Sequence, residues 1–401
     1  MKDKRIIKAA GILITFFLTG MMNTVLAVVT PLMNTQAGVS LLNMGLAVSV
    51  MSASRLILVI PAGILADKWS KPWVLRIGVF VIILGGILSG FAPFGFLFYL
   101  AMVLFGGGHA FMDGAANGLI TDLYPEKPGS VLNLLHMFFG LGGMIGPLAF
   151  GLILNRYENW QYPFLFIGLT GLIIFLFIPK LRYEKAEAAG GIPEKKKSGM
   201  PLSALSGPLL YLCFMLFVMV GGTNTFKSFT NTFFEYHYLV TPMVASTALA
   251  LINGGVTLGR LVWSMTAEKL GYNRILAFSF AGTLITGIGT LMSPSALYGM
   301  IFSFLIGIFM SPFSPISIAI GGLMLPDKKG ALTGLFTVCA SLGSMIFPAL
   351  CGYIADQSGS VQYAMLILPL MTILPMILFF GKARRRLAEE IAADKLRSSI
   401  K

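Results

Sequence analysis

One helix-length stretch of this chain carries three polar side chains at the spacing of a single helix face. His109, Asp113 and Asn117 follow one another at intervals of four residues within the otherwise apolar run of residues 105–125. Residues four apart lie on one face of an α-helix. An ionisable group at the centre of a membrane costs about 2.5–3.5 kcal/mol on insertion scales, so it usually faces a cavity or a partner. The pattern predicts a transport site centred on Asp113.

The composition indicates that this stretch lies in a membrane. The 401 residues are 56% hydrophobic and 11% charged, and they include 46 Gly. Such a balance is typical of a polytopic helical membrane protein. Because a helix needs roughly 20 apolar residues to cross the hydrocarbon core, we predict an all-α membrane protein with twelve transmembrane helices. The predicted spans 1 to 12 are 6–33, 42–66, 73–93, 95–121, 130–155, 160–180, 207–234, 242–267, 274–293, 296–322, 330–355 and 361–381.

Basic residues accumulate on one side of the predicted membrane. With the N-terminus placed in the cytoplasm, 25 of the 29 Lys and Arg residues fall in cytoplasmic segments. This excess is the positive-inside signal, and it accounts for the net charge of +13 without nucleic acid as a partner. We expect a multi-pass protein of the cytoplasmic (inner) membrane, surrounded by the lipid bilayer, with both termini in the cytoplasm.

A charged stretch divides the chain into two halves. Residues 181–203 are hydrophilic and contain Gly, Pro and a run of Lys, which is typical of a flexible linker. We predict an N-terminal six-helix half at 1–180, a cytoplasmic linker at 181–203, a C-terminal six-helix half at 204–381, and a cytoplasmic tail at 382–401.

The two halves are copies of one another. Adding 201 to a residue number carries Asn23 onto Asn224, and Gly142 onto Gly343. The same offset holds at several separate places, and six helices in each half keep the same orientation. The pattern therefore predicts a parallel repeat, with the halves related by pseudo-symmetry.

Polar stripes on four spans indicate which helices line a cavity. Spans 1, 4, 7 and 10 carry polar side chains at helical spacing, including Thr19, Asn23, Thr30 and Asn34 on span 1 and Asn224, Lys227, Ser228, Asn231 and Glu235 on span 7. Such a stripe usually faces a cavity rather than lipid. With flanking groups from spans 2, 5 and 8, the predicted solute-binding residues are Asn23, Arg55, His109, Asn117, Asn133, His136, Asn224, Lys227, Asn231 and Asn253.

Asp113 has two possible cationic partners. Arg55 lies about 18 Å from Asp67 along its helix, and Asp113 lies about 13 Å from Asp122 along the next, at a rise of about 1.5 Å per residue. The depths are comparable, so an ion pair between Arg55 and Asp113 is possible, and Lys227 is the rival partner. For each histidine, a neutral ring packed between helices is the structural alternative to a role in transport.

Other chemistry finds little support in the sequence. Cys213, Cys339 and Cys351 all fall inside predicted spans, where they fit small buried hydrophobic positions rather than a disulfide framework or a zinc site. We find no nucleophile–base pair and no cluster of metal ligands. We therefore expect no metal, no cofactor and no enzymatic activity.

The loop between spans 2 and 3 resembles the signature of the major facilitator superfamily. It reads Gly63-Ile-Leu-Ala-Asp67-Lys-Trp-Ser-Lys71, with Ser70 where a Gly is common, and the second half carries an echo from Gly259-Arg260 to Glu268. The resemblance implies the major facilitator fold, a cavity lined by spans 1, 4, 7 and 10, and alternating access. It also implies that Asp67 clasps the other half when the cytoplasmic side is closed. We assign Asp67, Lys71, Arg260 and Glu268 to this gate.

A narrower stretch is similar to the fucose–proton symporter family of sugar permeases. That family has an acid followed by Ala-Ala-Asn in span 4, as in Asp113-Gly-Ala-Ala-Asn117, and the resemblance implies that Asp113 carries the proton. The characterised sugar symporter has a second acid in span 1, four residues before a Pro, where this chain has Ala27 before Pro31. This departure leaves the coupling mechanism and the sugar open.

The sequence as a whole favours a secondary transporter that moves a small, polar, sugar-like solute by proton-coupled symport. An organic-anion carrier is one alternative, since Arg55 and Lys227 outnumber Asp113. Proton-driven efflux of amphiphilic compounds is another. The identity of the solute, the direction of transport, the coupling ion and the oligomeric state stay open.

The charge asymmetry makes a prediction about sidedness. Single cysteines at Gly38 and Ser358 should react with an impermeant thiol reagent added outside intact cells, because the positive-inside signal puts both positions in outer loops. Cysteines at Ser198 and Ser398 should react only after the cells are opened. The reverse labelling pattern would invert the predicted topology.

Overall fold

A computed structural model describes residues 2–178, 207–325, 328–385, 387 and 389. The predicted linker at 181–203 and most of the predicted tail at 382–401 lie outside the described residues. The described part of the chain is helical and contains no strand.

The helices follow the predicted spans closely. In chain order they are α1 Lys2–Ala37, α2 Leu41–Leu65, α3 Lys71–Phe91, α4 Phe96–Leu123, α5 Pro128–Tyr157, α6 Tyr162–Phe177, α7 Gly207–His237, α8 Pro242–Leu270, α9 Tyr272–Met292, α10 Ala296–Met310, α11 Phe313–Met324, α12 Lys329–Ser358, α13 Val361–Met365 and α14 Ile367–Leu378. Predicted span 10 is split into α10 and α11 at Ser311 and Pro312, because a proline cannot donate the helical hydrogen bond. Span 12 is divided at Leu366 into α13 and α14, three residues before Pro369.

The helix lengths fit a membrane. Ten helical segments of the described chain are long and apolar enough to cross a bilayer, and one of them, Leu41–Phe91, has 51 residues. That segment is long enough for two crossings, since one needs roughly 20 residues; a π-helical turn at Ala66–Ser70 joins its two parts, α2 and α3. Tyr162–Leu176 forms a shorter apolar helix. The predicted all-α membrane class is confirmed, and the count is consistent with twelve spans.

By backbone contacts the chain forms two compact units. Unit 1 comprises 1–183, 227–254 and 348–364, and unit 2 comprises 184–226, 255–347 and 365–401. In unit 1, α3 packs on α4 and α6, α1 packs on α5, and α2 packs on α4. In unit 2, α9 packs on α10 and α14. The contact division cuts through α7, α8 and α12, so the predicted boundaries of the two sequence halves stay a prediction.

Close backbone approach fixes α1 against α5 within unit 1. A Cβ atom added to Gly20 would collide with the carbonyl oxygen of Phe139, and one added to Gly142 would collide with the carbonyl oxygen of Phe17. Small residues let membrane helices approach to backbone contact. This crossing sets the rotation of α1 and therefore the direction in which its polar residues point.

The same crossing recurs within unit 2. A Cβ atom on Gly221 would collide with the backbone of Gly343, and one on Gly343 would collide with the carbonyl oxygen of Phe217. Gly221 and Gly343 stand 201 residues after Gly20 and Gly142. The sequence repeat is thus also a repeat of helix packing.

A second set of contacts closes the predicted outer ends of the helices in unit 1. The Asp356 carboxylate at the end of α12 accepts hydrogen bonds from the backbone N–H of Leu41 at 3.0 Å and of Leu42 at 2.8 Å. These N–H groups open α2, where unpaired donors and the helix dipole favour an anion. Tyr236 on α7 donates to the side-chain oxygen of Asn34 on α1 at 2.6 Å. We call these two contacts the outer clamp.

The backbone near the outer clamp refines the labelling experiment. Gly38 has φ of 63°, a conformation that residues with a Cβ atom rarely adopt. The neighbouring Ala37 is exposed at the end of α1. A cysteine at Ala37 therefore reports on the same loop without backbone strain.

Candidate functional site

An ion pair between α2 and α4 forms the centre of the candidate site. Arg55 donates to Asp113 Oδ2 through Nη2 at 2.6 Å and through Nε at 3.0 Å. The Asp113 side chain is 14% exposed and that of Arg55 is 47% exposed. A charged side chain within a membrane helix usually faces a water-filled cavity rather than lipid. Of the two possible partners of Asp113, Arg55 and Lys227, the structure pairs it with Arg55.

His109 adds a third group to this cluster. Its Nε2 atom lies 3.5 Å from Asp113 Oδ2, one helical turn away on α4, and its side chain is 3% exposed. On the other side of the ring, Asn23 Nδ2 on α1 lies 3.2 Å from His109 Nδ1. Three side chains from α1, α2 and α4 therefore converge on one carboxylate, directly or through the imidazole.

The hydrogen bonds around His109 assign its neutral form. Asn23 Nδ2 also donates to the backbone oxygen of Thr19 at 2.7 Å, which fixes the amide with its nitrogen toward the imidazole. An amide nitrogen can only donate, so Nδ1 must accept and the ring proton sits on Nε2, facing Asp113. An imidazolium would place a second donor against the Asn23 amide. The Asn23 contact therefore favours a neutral ring.

Packing holds this ring in place. His109 stacks on Phe139 of α5, with 5.9 Å between ring centroids and 28° between planes. Phe139 is also the residue whose carbonyl contacts Gly20 at the α1–α5 crossing. The crossing thus positions both the hydrogen-bond partner of His109 and the ring on which it stacks.

Three further predicted site residues lie on α4 and α5. Asn117 donates to the backbone oxygen of Asp113 at 2.9 Å, so its amide nitrogen is used within α4. On α5, Asn133 and His136 are exposed, and the His136 ring meets the edge of Phe16 at 5.8 Å between centroids.

The predicted residues of α7 and α8 in unit 1 form two separate contacts. Lys227 Nζ donates to Asn253 Oδ1 at 2.9 Å, and Asn253 Nδ2 donates to the backbone oxygen of Gly143 on α5 at 2.9 Å. One turn further along α7, Asn231 Nδ2 donates to Ser246 Oγ on α8 at 2.9 Å. These bonds join α7 to α8, and they join α8 to α5 at Gly143, one turn after Phe139.

Asn224 belongs to unit 2 and has a different partner from its first-half counterpart. Its Nδ2 atom donates to Ser344 Oγ on α12 at 2.7 Å. Asn23, at the equivalent position of the first half, contacts a histidine instead. The equivalent asparagines of the repeat therefore hold different partners.

Three of the four predicted gate residues, Asp67, Lys71 and Glu268, lie at helix ends that we predict to face the cytoplasm, and Arg260 lies about three turns before the end of α8. Asp67 is exposed in the π-helical turn between α2 and α3, and Lys71 pairs with Asp122 of α4 at 2.6 Å. Arg260 is exposed on α8. The backbone of Glu268 also lies in α8, but its side chain is outside the described residues. Their roles as a gate stay predictions.

Two acidic residues at the predicted outer ends were missed among the predicted site residues. Asp356 takes part in the outer clamp, and no motif or stripe in the sequence singles it out. Glu235 lies on α7, one turn after Asn231. The polar stripe on span 7 was a signal for Glu235, because it put a carboxyl on the same helix face as Lys227 and Asn231.

Comparison with known proteins assigns the family. The Major Facilitator Superfamily model matches residues 12–254 and again residues 212–401. The chain belongs to the Major Facilitator Superfamily. The two overlapping matches cover almost the whole sequence, so the resemblance read from the loop at Gly63–Lys71 is confirmed.

Individual relatives of the chain in this superfamily are distant. Multidrug resistance protein 2 of Bacillus subtilis is 23% identical over 327 residues, which cover 78% of this chain and 80% of the relative. The hexuronate transporter of Bacillus subtilis is 24% identical over 394 residues, covering 89% and 90%. A bacterial homolog of the human lysosomal transporter Spinster has a similar fold, with a TM-score of 0.76 at 16% identity and coverage of 95% and 97%.

Membership of the superfamily fixes the general function. The chain is a multi-pass membrane protein and a secondary transporter of small-molecule solutes. Transporters of this superfamily form a class distinct from enzymes.

The geometry of the ion pair predicts unequal effects of its two single substitutions. Breaking a buried pair costs about 3–5 kcal/mol when it strands a charge away from water. Arg55→Gln strands the nearly buried carboxylate, whereas Asp113→Asn leaves a half-exposed guanidinium that water can solvate. Arg55→Gln should therefore lower the melting temperature of the purified protein more than Asp113→Asn.

The double variant tests whether the two charges act as a pair. Arg55→Gln with Asp113→Asn should lose less stability than the sum of the two single losses, because neither charge is then stranded. Lys71→Gln with Asp122→Asn is a matched control, because these residues form an ion pair between α3 and α4. The exposed fractions of its two side chains differ less than those of Arg55 and Asp113. Additive losses at Arg55 and Asp113 would contradict the ion pair.

Proposed function

We propose that this chain is a proton-coupled symporter of a small polar solute, with Asp113 as the coupling group. The observation that carries the proposal is the distribution of donors around its carboxylate. Both Arg55 nitrogens and His109 Nε2 approach the same oxygen, Oδ2. The other oxygen, Oδ1, accepts no hydrogen bond from these three donors and is the atom on which we place the proton.

Competition for Arg55 supplies the coupling. A protonated Asp113 holds the guanidinium less strongly, because the carboxyl has lost its negative charge and the ion pair is reduced to hydrogen bonds from a cation to a neutral group. Arg55 is then available to a solute, and a solute that engages Arg55 in turn removes the cation that keeps Asp113 ionised. Proton and solute each help the other to bind. Such reciprocal coupling favours symport, whereas antiport requires that they compete.

His109 acts in this scheme as a neutral hydrogen-bond donor. Its proton faces Asp113, and the Asn23 amide opposes a second proton on the ring. The exchangeable proton is therefore assigned to the carboxyl. One charge moved across the membrane is worth about 2.3 kcal/mol per 100 mV, which corresponds to roughly fifty-fold accumulation.

The chemistry of the site favours a polar solute that can accept hydrogen bonds. Arg55 offers a planar set of donors that suits hydroxyl-rich solutes and, still better, carboxylates. A sugar-like solute is our first candidate and an organic anion is the second; the distant hexuronate transporter is named for sugar acids. Efflux of amphiphiles is a third candidate, in view of the relative named for multidrug resistance.

We place the protein in the cytoplasmic (inner) membrane with both termini inside, on the charge asymmetry alone.

The solute class can be tested by ligand-dependent stability. A ligand that binds the native state raises its melting temperature in proportion to the logarithm of its concentration. Purified protein should be stabilised by members of a sugar and sugar-acid series, and Arg55→Gln should lose that stabilisation. Stabilisation by lipophilic cations alone would instead favour the efflux candidate.

The coupling role can be tested by proton uptake. Adding the stabilising solute to wild-type protein in weak buffer should draw protons from solution, whereas an antiporter should release them. Asp113→Asn imitates the protonated acid, so it should bind solute without proton uptake. In liposomes it should keep exchange of labelled solute and lose uphill uptake driven by a pH gradient.

The control for this test is Glu158→Gln, an exposed acid at the end of α5 that lies outside the site and the predicted gate. It should keep uphill uptake if only Asp113 couples. Uphill uptake by Asp113→Asn at the wild-type level would refute the assignment.

A further inference from the structure

Glu235 is a second carboxyl on a helix long and apolar enough to span the membrane, separate from the cluster at Asp113. It lies near the end of α7, between Asn231 and the outer-clamp residue Tyr236. Its Oε1 atom is buried and has no hydrogen-bond partner among the described residues. No ion pair to Glu235 is found in the described part of the chain. The residue as a whole is half-buried, and an ionised carboxyl would leave Oε1 with neither a hydrogen-bond donor nor water, which is disfavoured.

A second unsatisfied acceptor lies one helical turn away. Asn231 is fully buried, and its Nδ2 atom already donates to Ser246 Oγ at 2.9 Å. Its Oδ1 atom is also buried without a partner among the described residues. Residues four apart on a helix are neighbours, with about 5–6 Å between their Cβ atoms. Two buried acceptors on one helix face thus lack the donor that both need.

One proton on Glu235 resolves both deficits. The O–H of a neutral carboxyl donates to an acceptor such as Asn231 Oδ1, and no charge is then left in the packed helix face. We propose that Glu235 is a second proton-binding site, which holds its proton at neutral pH while the outer clamp is formed.

The surrounding charges do not provide another way to stabilise an anion at Glu235. On α7 itself the nearest titratable groups are Tyr236, the exposed His237, and Lys227, which is two turns away and bonded to Asn253. Asp356 on α12 is acidic, and its carboxylate faces the start of α2. Arg156 on α5 is exposed in the last turn of that helix. The outer halves of α1 and α8, residues 23–37 and 242–254, carry no Asp, Glu, Lys, Arg or His.

The location gives the second proton a role in the transport cycle, and this role rests on the proposed function. Asn231 is buried and Glu235 is half-buried beside the contacts of α7 with α8 and α1. Parting these contacts would admit water, and water would allow Glu235 to ionise. The proton therefore binds when the outer clamp forms and leaves when it opens.

Infrared spectroscopy of the purified protein tests the proton binding without any transport assay. A protonated carboxylic acid has its own carbonyl stretching band, separate from that of a carboxylate, and the band shifts in heavy water. Wild-type protein should show this band at neutral pH. Glu235→Gln should lose it, while Asp113→Asn and the exposed control Glu158→Gln should keep it. A wild-type spectrum without the band, or an unchanged band in Glu235→Gln, would overturn the proposal.

A chemical label on the wild-type chain covers the case in which Glu235→Gln does not fold. Dicyclohexylcarbodiimide adds the O–H of a protonated carboxyl across its C=N bond, and the adduct rearranges to a stable N-acylurea without a leaving group. Mass spectrometry should find the added mass on Glu235 at neutral pH and less of it at alkaline pH. Glu158 in the same molecule should stay unlabelled. Equal labelling of both residues, or no label on Glu235, would count against a neutral Glu235.

The two proposals can fail independently. If Asp113→Asn keeps uphill uptake while the carboxylic acid band disappears with Glu235→Gln, the coupling role of Asp113 is wrong and the second proton site stands. If Asp113→Asn loses uphill uptake but the band is absent, only Glu235 is refuted.

Discussion

The candidate site depends on the cost of a charge inside a membrane. Asp113 cannot stay ionised at that depth without a cation, and Arg55 supplies one at 2.6 Å. Once this pair exists, the remaining polar groups have to be arranged so that they do not compete with it. His109 meets the carboxylate with a neutral N–H, and Asn23 keeps the ring in that form. In the function that we propose, a proton or a solute is the agent that separates the pair.

Much of the fold could be predicted from the sequence, because the bilayer imposes a length on every span. Span 4 was expected at 95–121 and α4 runs from Phe96 to Leu123. The pairing of Arg55 with Asp113 was also accessible, since the rise per residue gives the depth of each side chain once a helix end is known. The bounds of a span and the depth of a side chain both follow from a single distance along the helix axis.

The contacts between helices were harder to predict, because they depend on rotation about the axis. Asn23 reaches His109 only because Gly20 and Gly142 bring α1 and α5 into backbone contact and turn the polar face of α1 toward α4. Asn117 shares the stripe of Asp113, yet it bonds to its own helix. Asp356 binds the start of a helix more than 300 residues away in sequence, and no local pattern marks such a pairing.

The glycine crossing that occurs in both halves bears on the history of the molecule. Gly20 with Gly142 and Gly221 with Gly343 stand at equivalent positions and bring the corresponding helices to backbone contact, and we infer that this crossing dates from before the duplication of an ancestral half. The charged cluster has no such twin: the positions equivalent to Arg55, His109 and Asp113 are Val256, Met310 and Ser314. The architecture is therefore older than the division of labour between the halves. After duplication, the polar residues of one half could change without loss of helix packing. The packing depends on the glycines, and these glycines are not part of the charged cluster.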